Sequence, residues 1–61
     1  MEDLKSVIAK NIAVLRQEAK MTQSDLAERL NYSDKAISKW ERAESMPDIT
    51  VLKTIADLFE V

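Results

Sequence analysis

The chain has 61 residues, 46% of them hydrophobic and 33% charged, with a formal net charge of −2. So short a chain makes one domain at most and buries roughly 60% of the surface its unfolded form exposes, which leaves little room for a cleft. No apolar run approaches the roughly 20 residues of a bilayer span, the absence of Cys and His removes disulfides and the usual zinc ligands, and the slight acidity argues against coating nucleic acid by bulk attraction.

With no glycine and one proline, Pro47, the chain lacks the punctuation of hairpin turns. The expected class is all-α, a compact bundle of four or five short helices forming a single domain over 1–61. The opening "MEDLKSVIAK" lacks the basic and then apolar regions of a secretory signal, so the expected location is cytoplasmic, with no membrane contact. Leu4, Ile8, Ile12, Leu15 and Ala19 recur at steps of three and four, which predicts a first helix from about Asp3 to Ala19. Thr22 and Asp25 have the spacing of a capping box, and Met21 with Leu26 that of a hydrophobic staple. They open a second helix, Gln23 to Leu30, with Leu26, Ala27 and Leu30 inward.

Asn31 tolerates a left-handed backbone and marks the turn. Ser33 is the next cap, Tyr32 and Ile37 repeat the staple spacing, and a third helix is expected from about Asp34 to Ala43. After the loop "ESMPD", Asp48 caps a fourth helix whose Val51, Leu52, Ile55, Ala56 and Phe59 form an apolar stripe. The expected core is Ile8, Ile12, Leu15, Leu26, Ala27, Leu30, Ile37, Trp40, Leu52, Ile55 and Phe59. Two short helices joined by a brief turn, about 22–43, make a helix-turn-helix unit. Its internal spacing is the sharper signal. Ala27 is small enough for close approach, Asn31 forms the turn, and Ile37 and Trp40 pack back.

The stretch "LRQEAKMTQSDLAERLNYSDKAISKWERAESMPDITVLKTIADLFEV" resembles the Cro and phage-repressor-like (XRE-type) helix-turn-helix transcriptional regulators. It follows that family's pattern from "LR…TQ..LA..L" through "S.WE" to "P…L..IA". Asn31 and Ala43 stand where the family usually has glycine, and Ala43 is expected to resist the left-handed backbone a glycine would adopt. The resemblance implies a lambda-repressor-like bundle whose recognition helix, about 33–43, enters the DNA major groove while the second helix braces it against phosphates. It also implies that Gln23 contacts the DNA backbone, and that Arg16 and Glu41 pair to link the first helix to the recognition helix, with the guanidinium near the DNA.

At 100° per residue, Ser33, Ala36, Ile37 and Trp40 fall on the inward arc, and Asp34, Lys35, Ser38, Lys39 and Arg42 on the opposite one. Taken alone, this charge pattern is that of an ordinary solvated helix surface, and Gln23 is equally a polar first-turn residue in solvent. The motif spacing and the resemblance turn the reading toward DNA. Ser33, Lys35, Ser38 and Lys39 are then donors for base edges or phosphates, and Arg42 a backbone contact. Asp34 accepts from cytosine N4, stabilises its helix N-terminus, or repels phosphate. Trp40, by its periodicity, belongs to the core rather than to a base stack.

No His, Cys or glycine-rich phosphate loop is present, so catalysis, cofactors and bound metals are not expected. The expected partner is double-stranded DNA, a near-palindromic operator bound by a homodimer that is weak in free solution. Family members commonly continue past the position of "LFEV" into a further helix or domain, which makes Val61 the candidate interface residue and leaves Phe59 to the core. The alternative is a helical protein-interaction module, antitoxin-like or an adaptor, that keeps the fold.

Overall fold

The computed structural model describes residues 3–61; Met1 and Glu2, part of the opening stretch and of the single domain expected over 1–61, lie outside them. Four helices follow in order: α1 Leu4–Glu18, α2 Gln23–Leu30, α3 Asp34–Glu41 and α4 Ile49–Phe59, with no strand among the described residues. Each start carries a side-chain cap. Asp3 accepts from the Ser6 amide at 2.8 Å, Ser33 from Ala36 at 3.2 Å, and Asp48 from Val51 at 2.9 Å. At α2 the capping box closes in both directions: the Asp25 amide donates to Thr22 Oγ1 at 3.0 Å, and the Thr22 amide to Asp25 Oδ2 at 2.9 Å. Asp3 therefore caps the first helix rather than belonging to it.

The four ends share one geometry. Lys20, Asn31, Ala43 and Glu60 have φ of 59°, 60°, 61° and 58°. In each case the next amide donates back across the turn: Met21 to the Arg16 carbonyl at 3.1 Å, Tyr32 to Ala27 at 2.9 Å, Glu44 to Lys39 at 2.9 Å, and Val61 to Ala56 at 3.0 Å. This is the Schellman closure, usually built on glycine, here built four times without one. Ala43 does adopt the left-handed backbone it was expected to resist. Helix α3 consequently ends at Glu41, short of the expected Ala43, with Arg42 as its C-cap.

Helix α3 packs against α1 and α2, and α4 against α2. The buried cluster is Ile12, Leu26, Ala27, Leu30, Ile37, Trp40, Val51 and Ile55, with Leu26 and Ile37 fully enclosed. Ala9 is also buried. Four expected core residues lie further out: Ile8, Leu15, Leu52 and Phe59 are only half-buried, and Leu4, at the head of the first stripe, is 66% exposed. The buried side of α1 runs through Ala9 and Ile12. On α4, Val51 turns inward ahead of Leu52. Met21 packs on the core as the staple requires, and the half-buried Ile8 and Phe59 also pack against it from outside.

Candidate nucleic-acid interface

Ile37 and Trp40 anchor α3 and decide which of its sides faces out. Asp34, Lys35, Lys39 and Arg42 are exposed, and Ser38 is half-buried. Ser33 also lies in solvent, not on the inward arc where its angle alone would put it. A cap residue precedes the helix and has extended backbone, here φ −93° and ψ 156°, so helical angles do not apply to it. Its hydroxyl oxygen is engaged by the Ala36 amide, while its proton remains a donor.

Lys35 and Lys39 form no ion pair among the described residues, so both cations are presented to solvent unneutralised. Arg42 is different. Its Nε lies 2.8 Å from Glu44 Oε2, and the two side chains are 57% and 54% exposed. The left-handed Ala43 folds the chain back and makes this contact between residues two apart. An ion pair so open to water is worth little, and a phosphate can displace the carboxylate. Asp34 sits in the first turn of α3, where its charge favours the positive end of the helix dipole.

Behind this face, three helices meet at one carboxylate. Arg16 of α1 donates from Nε to Glu41 Oε2 at 2.7 Å and from Nη2 to Glu41 Oε1 at 3.1 Å. Its Nη1 donates to the Met21 carbonyl at 2.8 Å, bracing the turn between α1 and α2. The pair is largely withdrawn from solvent, with side-chain exposures of 14% and 8%. The Glu41 hydrogen bond raises the Arg16 pKa above its ordinary value, against the opposing effect of burial, so the guanidinium stays charged. Gln23, the first residue of α2, completes the cluster by donating from Nε2 to Glu41 Oε1 at 3.1 Å. Among the described residues no buried side-chain nitrogen or oxygen lacks a hydrogen-bond partner.

The structure thus brings Arg16, Gln23 and Glu41 together, leaves Asp34, Lys35, Lys39 and Arg42 exposed along α3 opposite Ile37 and Trp40, and leaves the cap Ser33 exposed ahead of them. Two contacts escaped the sequence. Gln23 and Glu41 are far apart in the chain and no periodicity joins them, and the partner of Arg42 depends on the backbone at Ala43.

An apolar groove of about 190 Å³ lies elsewhere, lined by Ile8, Leu15, Leu52, Ala56 and Val61 among others. Val61 is 75% exposed. No described helix is long and apolar enough to cross a membrane.

Comparison with known proteins agrees with this geometry. A family model described as helix-turn-helix matches residues 12–61. The HTH-type transcriptional activator BcrR of Enterococcus faecalis is 45% identical over 47 residues, which cover 77% of this chain and 23% of that relative. The chain therefore corresponds to less than a quarter of the relative's length. The capped pair α2 and α3, the left-handed turn at Asn31 and the match over residues 12–61 place the chain in the XRE-type helix-turn-helix family.

Proposed function

We propose that the chain reads duplex DNA by sequence, with α3 in the major groove and the start of α2 against the phosphate backbone. The observation that carries this is the outer side of α3, where Lys35 and Lys39 are exposed and, among the described residues, unpaired opposite Ile37 and Trp40. A lysine can donate to guanine O6 and N7 or to phosphate, and Ser33 and Ser38 supply shorter donors beside it. Asp34 accepts from cytosine N4. Arg42 takes a phosphate in exchange for Glu44, and Gln23 donates to the backbone. Arg16 serves mainly from behind, since three of its N–H groups are committed within the protein. The reading needs neither a cofactor nor a catalytic step, and it places the chain in the cytoplasm.

One recognition helix reads few base pairs and buries too little surface for the affinity that a genome of competing sites demands. The chain accordingly binds as a homodimer on a near-palindrome whose half-sites lie about 34 Å apart, or a multiple of that. The groove beside Val61 supports an association that is weak in free solution. Selection of binding sites from random duplex DNA tests the whole reading. Enrichment of a near-palindromic sequence is expected. Recovery of unenriched DNA would reject sequence reading and favour a protein-interaction module. Sedimentation at micromolar concentration should give a monomer; a tight dimer would reject weak association.

A further inference from the structure

Gln23 makes a contact that its place at the start of α2 does not require. Its carboxamide has two different ends, an N–H₂ that donates and a carbonyl that accepts, and the two are nearly equal in shape. Phosphate oxygens only accept. A glutamine that meets the DNA backbone must therefore present nitrogen, and free rotation would present oxygen about as often. Glu41 removes that choice. A carboxylate only accepts, so the 3.1 Å contact with Glu41 Oε1 fixes the nitrogen end on the Glu41 side. One N–H is used there and the other remains. Glu41 is itself held at both oxygens by Arg16 and is only 8% exposed.

We propose that Glu41 is a positioning residue for DNA binding: through the Gln23 Nε2 contact it holds the glutamine amide nitrogen toward the phosphate backbone, so that one nitrogen bridges carboxylate and phosphate. The inference rests on the DNA-binding reading above. It assigns the cluster of Arg16, Glu41 and Gln23 two roles. Arg16 anchors the carboxylate, and the carboxylate orients the amide. Glu41 touches no DNA, and its negative charge is neutralised by Arg16 before it can repel a phosphate.

The test is a double-mutant cycle on binding to a short mixed-sequence duplex at low salt, because a backbone contact requires no particular operator. Gln23→Ala is measured in the native background and in Arg16→Met/Glu41→Met, where both charges give way to apolar chains and the core can remain packed. In the native background Gln23→Ala should weaken binding about tenfold, the scale of one hydrogen bond to a charged group. In the double-methionine background it should weaken binding by less than about twofold, because an unheld amide contributes little to lose. The same fold-loss in both backgrounds, or no loss in the native one, would overturn the positioning role. If circular dichroism shows the double-methionine chain unfolded, Arg16→Leu/Glu41→Leu supplies the second background, again with no stranded charge and no acceptor in place of Glu41: a smaller loss there supports the role, and an unchanged loss rejects it. Absence of salt-sensitive binding by the unmodified chain would reject the DNA reading and this inference with it. Salt-sensitive binding with equal losses would reject this inference alone.

Discussion

The ring of Tyr32 stands edge-on to that of Trp40, with centroids 5.2 Å apart and planes inclined at 63°. One residue belongs to the turn of the unit and the other to the buried side of α3, so the contact ties the turn to α3. Edge-to-face pairs contribute about 0.5–1.5 kcal/mol beyond area burial. Tyr32→Leu should therefore lower stability by about 1 kcal/mol. Trp40, the chain's single tryptophan and only 5% exposed, reports unfolding by its own emission, and an unchanged denaturant midpoint would remove the pair from the account.

Ala43 holds φ of 61° without the freedom of glycine. The left-handed region costs an L-residue roughly 1–2 kcal/mol, partly offset here because alanine restricts the unfolded chain more than glycine does. Ala43→Gly should raise stability by about 1 kcal/mol, seen as a higher midpoint with unchanged slope. At Asn31, whose side chain already tolerates φ of 60°, the same replacement should gain less. Equal gains at both positions would contradict the distinction.

Breaking the Arg16–Glu41 pair from one side strands a charge that is almost out of water. Arg16→Ala should cost about 3–5 kcal/mol, a large share of what a domain of this size possesses. Replacing both partners with methionine should restore most of that loss. Thermal unfolding of the two variants side by side decides it: an undisturbed single mutant would show that the pair behaves as two independent surface charges.

Acid should weaken the caps. Hydrogen bonds from the Thr22 amide and hydroxyl hold Asp25 below the ordinary carboxylate value of 3.8, and those of Ser6 do the same for Asp3. With the folded pKa depressed, the contribution is complete above 3.8 and is lost as the pH falls through the lower folded value. The native midpoint should therefore fall on acidification below about pH 4. Asp25→Ala should show a flatter decline, and a parallel decline in both proteins would reject the capping box as a source of acid sensitivity.

Much of this was legible in the sequence because it is local. Thr22 with Asp25, Ser33 and Asp48 announce their helices through hydrogen bonds that span three residues. The inward spacing of Leu26, Ala27, Ile37 and Trp40 likewise survives in the fold. What failed depended on how helices are rotated against each other. The burial of Ala9 and Val51 in place of Ile8 and Leu52 follows from packing, which adjacent apolar positions on one stripe do not decide. Helix α3 ends before the Ala43 its pattern predicts because Ala43 takes a conformation its residue type disfavours, held by the Glu44 amide on the Lys39 carbonyl. At the proposed interface, the family pattern marked Arg16 with Glu41 as a pair and Gln23 apart from them, and only the fold joins Gln23 to Glu41.

The central claim is that the exposed cations of α3 meet DNA, and salt dependence tests it most directly. Binding of the native chain and of Lys35→Ala/Lys39→Ala to mixed-sequence duplex should be followed across a range of salt. The native chain should lose affinity linearly in log salt, and the double variant should bind more weakly with a slope shallower by about 0.9 for each lysine that met a phosphate. Binding that ignores salt, or an affinity and slope identical in the two proteins, would contradict it.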